Sequence, residues 1–196
     1  MHLATSIIET GRLLLRPFET GDADSMLRNW IGDPKVQHEY GEPAYESREA
    51  VMELLLKWTA AYAEPDFYRW AMIRTIDREC IGQIAFCSVD TRHHFADIEY
   101  CVGRSYQGNG YASEALRAVI AYTFSHTSLN RLQAFHRGRN QQSARVLQQA
   151  GMSYEGTLRQ SFYYEDLDEY DDRVYYGIVQ DESESQAFNH PSFPHK

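Results

Sequence analysis

The chain lacks the features that would place it in a membrane or on a nucleic acid. No apolar run approaches the roughly 20 residues that a bilayer-spanning helix needs. The opening Met1-His2-Leu3-Ala4-Thr5 has neither the charged start nor the apolar core of a secretion signal. Basic residues are in deficit: 19 Lys and Arg stand against 28 Asp and Glu, for a net charge of −9. Nucleic-acid binders show a basic face, so that class is set aside. An acidic balance suits a cationic partner such as an amine, or serves solubility alone. Cysteine is scarce as well. Cys80, Cys87 and Cys101 are odd in number and have no metal-type spacing, so neither a disulfide framework nor a metal site is expected. All three fall in strand-like runs and read as small buried hydrophobes in a reducing compartment, and a cytoplasmic protein is the expectation.

What is present fits one domain. The 196 residues are 43% hydrophobic, enough to bury most of their apolar surface in a single core. The end, Asp181 to Lys196, is rich in Ser, Glu, His and Pro without a period and reads as a disordered tail on a domain of residues 1–180. There are no internal repeats.

Along that domain the hydrophobic period switches several times. Arg12 to Phe18 reads as a short strand ending at Pro17. Asp22 can cap a helix through Ile31, with Ala23, Met26, Leu27 and Trp30 on one face, and Asp33-Pro34 stops it. Lys35 to Glu46 reads as a loop long enough to be mobile or functional. Ser47 then caps a helix with an apolar stripe of Val51, Leu54, Leu55, Trp58 and Tyr62. Phe67–Arg74, Cys80–Val89 and Ala96–Val102 form an expected antiparallel meander. A helix to about Ser128, a strand over Arg131–His136 and a helix from Asn140 to Gly151 follow. Thr157–Tyr164 and Arg173–Val179 read as a last antiparallel pair joined by the acidic stretch Glu165–Asp172. The class is α+β: a mixed, mostly antiparallel sheet with one parallel crossover and helices on both faces.

The stretch Arg104-Ser-Tyr-Gln-Gly-Asn-Gly-Tyr-Ala-Ser-Glu-Ala-Leu116 joins the 96–102 strand to the next helix. The first amides of a helix are unpaired and carry partial positive charge, and Gly108 and Gly110 let the chain approach an anion closely. Phosphate is the natural guest, although two glycines also serve a plain tight turn. Neither the Lys-Ser/Thr of a triphosphate loop nor the third glycine of a dinucleotide loop is there. The remaining pattern, Gln107, two residues, Gly110, one residue, Ala112, resembles the acyl-CoA pyrophosphate loop of the GNAT acetyltransferases. The run around it is similar to the RimJ/RimL branch of that family. A second segment, Asn140-Gln-Gln-Ser143 through Gly151-Met152, resembles the family's Asn-x-x-Ser helix, with Met152 in place of a usual aromatic and Gly138 in place of a frequent proline.

The resemblance implies the GNAT fold and acetyl-CoA as co-substrate. It implies that Gln107, Gly108, Asn109, Gly110, Tyr111 and Ala112 hold the pyrophosphate, and that Asn140 and Ser143 lie beside the pantetheine arm and sulfur. Backbone amides at Cys101 and Val102 are expected to polarise the thioester carbonyl. Glu99, on the strand before the loop, is the candidate base; alternation sets Asp97, Glu99 and Cys101 on one strand face and Ile98, Tyr100 and Val102 on the other. Ser143 is the candidate acid toward the thiolate, with Tyr154 in reserve, and His93 and His94 are a third choice of base. No Cys-His or Ser-His pair stands out, so direct transfer to a primary amine is expected. The acceptor is an α-amine at a protein N-terminus, of ribosomal-protein type, or a small amine such as a polyamine, amino sugar, amino acid or antibiotic. A non-catalytic acyl-CoA-binding module and an ATP- or dinucleotide-binding protein are the rival readings. A homodimer is common in the resembled family.

Overall fold

The computed structural model describes residues 5–40, 42–164 and 168–182. The strands are β1 (Ile8–Glu9), β2 (Leu13–Arg16), β3 (Arg69–Arg74), β4 (Cys80–Asp90), β5 (Phe95–Val102), β6 (Arg131–Arg137), β7 (Ser153–Tyr164) and β8 (Glu169–Val179). They form one eight-stranded sheet in the order β1-β2-β3-β4-β5-β6-β8-β7. The pair β5–β6 is parallel and every other neighbour is antiparallel. The helices are α1 (Ala23–Met26), α2 (Pro34–Tyr40), α3 (Arg48–Ala61), α4 (Tyr111–His126) and α5 (Gln141–Gln149).

Both faces of the central strands are covered, and strand alternation sorts the side chains between two cores. On β3, Trp70 and Met72 join Ile84, Ile98, Leu116, Val119, Leu132 and Leu147 under α4 and α5. Ala71 and Ile73 join Phe18, Met26, Trp30, Val51 and Leu55 under α1 and α3. Each large side chain so buried contributes about 1.5–3 kcal/mol of transfer free energy. The same alternation on β5 sends Ile98 and Val102 to the first core and Cys101 to the second, as the sequence pattern requires.

Several local expectations need correction. Asp33-Pro34 does not only stop a helix; it starts one. The Asp33 carboxylate accepts from the Lys35 amide at 2.9 Å. Pro34 occupies the first helical position, where its missing N–H costs nothing, and α2 replaces the front of the expected 35–46 loop. The helical stretch to Ile31 exists, but as a 3-10 turn (Thr20–Asp22), then α1, then a π turn (Leu27–Ile31). Asp22 makes no cap bond to α1. It accepts from the Glu19 amide at 2.8 Å and grips the Arg16 guanidinium at 2.7 and 2.9 Å. Cys80 and Cys101 are buried, but Cys87 is exposed. It is the extra residue of a bulge, since Phe86 pairs with Ile98 and Ser88 with Asp97. Half of the expected acidic connection is strand, because β8 begins at Glu169. Residues 180–182, at the start of the expected tail, are helical. Residues 165–167 and 183–196 lie outside the described residues.

One glycine sets the seating of β5 on β4. A Cβ at Gly82 would lie 2.2 Å from the Cys101 carbonyl oxygen and 3.0 Å from the Val102 Cα. Gly82→Ala therefore has to push β5 outward, and we expect it to cost about 1–3 kcal/mol. A urea midpoint equal to that of the unaltered chain would show that β5 has room to spare.

Candidate active site

The sheet divides at its parallel pair. β5 and β6 are paired only at Phe95↔Arg131, Ala96↔Leu132 and Asp97↔Gln133. Both continue beyond that point: β5 stays bonded to β4 as far as Val102, and β6 to β8 as far as Arg137. The two halves of the sheet therefore part company toward the carboxyl ends of the parallel strands, the place where ligands gather in such sheets. The Gly103 amide donates to the Ile81 carbonyl at 2.8 Å. Alternation then turns the backbone of Glu99 and Cys101 to β4 and that of Tyr100 and Val102 to the cleft. Of the two amides expected to polarise a carbonyl, that of Val102 faces the opening and that of Cys101 does not.

The loop that follows forms the upper rim. Gly108 and Gly110 have φ of 76° and 80°, which a side chain would strain. Among the described residues, none of the backbone amides at 108–113 donates a hydrogen bond within the protein. A run of free amides at the start of a 16-residue helix is a cradle for an anion, which fits a pyrophosphate. Its shape is held from below. The Gln107 side-chain Nε2 donates to the Val102 carbonyl at 2.9 Å, and the Asn109 side chain donates to the carbonyls of Tyr106 and Gln107, both at 3.1 Å. Asn109 is thus spent inside the loop.

Arg12, which the sequence did not single out, braces the outer side. Its guanidinium donates to the Asn109 carbonyl at 2.9 Å and to Glu114 at 2.7 Å, and lies 4.7 Å from the centre of the Tyr111 ring. Glu114, in the first turn of α4, also accepts from the Arg12 amide at 2.8 Å and the Thr10 hydroxyl at 2.6 Å.

The second motif meets β5 from the α4/α5 side. Asn140 caps α5 through the Ser143 amide at 3.0 Å and donates to Glu39 of α2 at 3.1 Å. The Ser143 hydroxyl lies 2.7 Å from the Tyr100 hydroxyl. Burial pushes the Tyr100 phenol up, against a smaller opposing effect of the bond from Ser143. The Tyr100 hydroxyl also lies 3.3 Å from the Ser143 carbonyl oxygen, to which it can donate, so it holds Ser143 through both its hydroxyl and its backbone. Glu99 stands on the opposite face of the same strand. Its carboxylate takes a 3.0 Å bond from Arg69 and is 26% exposed; Arg69 also donates to Gln83 and stacks at 4.4 Å on Trp58.

The reserve residues fare differently. Tyr154 is 58% exposed, bonded to Thr157 and edge-on to the Tyr176 ring, with β6 and β8 between its strand and β5. His93 and His94 occupy the β4–β5 turn, at the far end of β5 from the loop. About 20 Å of strand separates them from the rim, so they are not bases for this site. The two buried thiols are no nucleophiles: burial pushes Cys80 up to about 12 and raises Cys101 as well. Among the described residues no group of three or more His, Cys, Asp and Glu is placed to hold a metal ion, and no helix is long and apolar enough to cross a membrane.

The Glu114 brace carries a pH signature. Burial acts to raise this carboxyl, but the bonds from Thr10 and Arg12 outweigh it and hold it below its ordinary 4.5. A lowered folded value adds stability that is present above pH 4.5 and is lost as the pH falls through the folded value. Glu114→Gln is expected to cost about 1 kcal/mol at pH 7, most of it gone in strong acid. Urea melts of both proteins between pH 7 and pH 3 check this; a difference independent of pH refutes it.

Comparison with known proteins agrees with the geometry. A family model described as an acetyltransferase (GNAT) domain matches residues 12–153. An uncharacterized N-acetyltransferase of Bacillus subtilis, YoaA, is 34% identical over 169 residues, 86% of this chain and 94% of that protein. The ribosomal-protein-serine acetyltransferase of Escherichia coli is 34% identical over 103 residues, 53% of this chain and 56% of that protein. The crystal structure of a GNAT-family acetyltransferase from Bacillus anthracis has a TM-score of 0.78 at 26% identity, over 90% of this chain and 99% of that one. The matched stretch takes in both rims of the cleft, from the Arg12 brace to the end of the Asn140 helix; this chain belongs to the GNAT family and is an N-acetyltransferase that uses acetyl-CoA.

Proposed function

We propose that this enzyme transfers the acetyl group directly to the α-amine at a polypeptide N-terminus, with the proton work divided between the two faces of β5. Glu99 takes the proton from the ammonium. The amine attacks the thioester carbonyl, whose developing oxyanion meets the Val102 amide. As the carbon–sulfur bond breaks, the attacking nitrogen sheds its second proton to water, and Ser143, held 2.7 Å from the Tyr100 hydroxyl, hydrogen-bonds the thiolate or protonates it and regains its own proton from water. The observation that carries this reading is the splayed β5–β6 pair, which lets a thioester reach the strand between Glu99 and Ser143.

The absence of any acidified thiol supports direct attack over an acyl-enzyme. The resemblance of half the chain to a ribosomal-protein-serine acetyltransferase supports a peptide acceptor. An acyl-CoA-binding module would need neither Glu99 nor the Tyr100–Ser143 pair.

Free-thiol release is the test, with peptides opening in Ser, Ala or Met set against spermidine, amino sugars and amino acids. Peptides are expected to stimulate release. Glu99→Gln is expected to lower kcat by about 10²–10⁴-fold while acetyl-CoA still binds. Undiminished turnover in that variant removes Glu99 from the chemistry, and preference for spermidine removes the peptide acceptor. In the same assay Tyr100→Phe and Ser143→Ala are expected to be non-additive, because the two hydroxyls share one hydrogen bond; effects that multiply would separate them.

A further inference from the structure

Two arginines on the acceptor side of the sheet are treated very differently. Arg137, at the end of β6, has a side chain only 2% exposed and lies 3.5 Å from the centre of the Tyr164 ring. Glu169 and Asp171 stand 3.8 and 3.4 Å away, and the same two carboxylates also pair with Arg139. Positive and negative charges cancel there. Arg173 sits opposite Arg137 in the β6–β8 register, hence on the same sheet face. Its guanidinium is clamped between Phe135 at 4.3 Å and Phe162 at 4.1 Å. Among the described residues it has no ion pair, and its Nε is buried without a hydrogen-bond partner. The neighbouring Asp172 is spent on the Gln160 amide at 2.8 Å.

Two planar rings fix the orientation of a planar cation, so its remaining N–H groups are presented as a fork, the geometry that recognises a carboxylate or phosphate. Its position relative to the site follows from register. Asp97 and Gln133 are the last paired residues of β5 and β6. Two residues further along each strand, Glu99 and Phe135 stand level across the cleft, on one face. Phe135 is 38% exposed, and Arg173 lies against its ring, one strand further out.

We infer that Arg173 is an anion anchor for the acceptor: the amine that approaches Glu99 belongs to a chain carrying a carboxylate or phosphate that reaches the Phe135–Phe162 clamp. Resting on the acceptor assignment above, this names the acceptor's chemistry. From Glu99 across β6 to β8 is at least two strand spacings of about 4.8 Å, so the amine and the anion are on the order of 10 Å apart. An α-amino acid is too short for that span. A peptide advances about 3.3 Å per residue, so the anion belongs to the side chain of its second or third residue.

The full-length enzyme is assayed by thiol release with hexapeptides opening Ser-Glu-Glu, Ser-Gln-Gln and Ser-Lys-Lys, and with a phosphoserine at the third position. Charged hydrogen bonds predict that kcat/KM for the Glu peptide exceeds that of the Gln peptide by about 10- to 100-fold, mainly through KM. The ratio falls toward one in Arg173→Gln, and the order inverts in favour of Lys in Arg173→Glu. Retained acetyl-CoA binding shows that each variant is folded, and a purely structural Arg173 would not reverse the order. A stronger response to phosphoserine than to Glu identifies phosphate as the anion. Equal use of Glu and Gln peptides, or a preference that survives in Arg173→Gln, overturns the inference. Calorimetry of the N-acetylated Glu and Gln hexapeptides with CoA reads the same contact without turnover. A Glu preference that depends on Arg173 there, with no peptide acetylated, sinks the peptide-acetylation reading and keeps the anchor; equal affinities sink the anchor.

Discussion

The fold depends on a parallel pairing that is kept short. Three residue pairs join β5 to β6, and beyond them each strand is held only by its outer neighbour. Continued pairing would have closed the cleft between the two halves of the sheet. The two cores keep both strands extended after they separate. Ile98 and Val102 are anchored under α4, and Leu132 and Ala134 under α5, so divergence costs little packing. The cleft is therefore a property of the sheet itself and does not rely on a mobile loop.

The two rims of that cleft are built by different physics. On the loop side, left-handed glycines and an arginine brace arrange free amides into a cradle whose shape fits an anion. On the helix side, Asn140 spends one oxygen on capping and its amide on α2, while Ser143 leans on a buried phenol. Strand alternation sets Glu99 and Tyr100 on opposite faces of one strand, Glu99 against Arg69 and Tyr100 against Ser143.

Local chemistry was legible in the sequence, and distant chemistry was not. The loop around Gly108 and Gly110 and the Asn140 cap each lie within a few residues, so their order along the chain was enough to read them. The face on which Glu99 stands was legible because alternation is a local rule. Tyr100 was placed on the correct face, but its bond to Ser143 spans 43 residues, and the Arg12 bond to Glu114 spans 102. No periodicity carries such pairs. Asp33-Pro34 misled because the same dipeptide ends one helix and begins the next; only the cap bond to Lys35 distinguishes the two uses. Cys87 looked like its buried neighbours because a bulge moves one residue out of the alternation without a signature in composition.

The single-sided bonding of β5 beyond Asp97 has one more consequence. That segment is a strand edge enclosed in the middle of a sheet, where a neighbouring molecule cannot add to it as it can to an outer edge. A slender ligand with its own amide groups can, and by doing so it takes the part of the absent ladder. Across the sheet's centre the two halves are joined by three residue pairs at the parallel seam and by the shared core under α4 and α5.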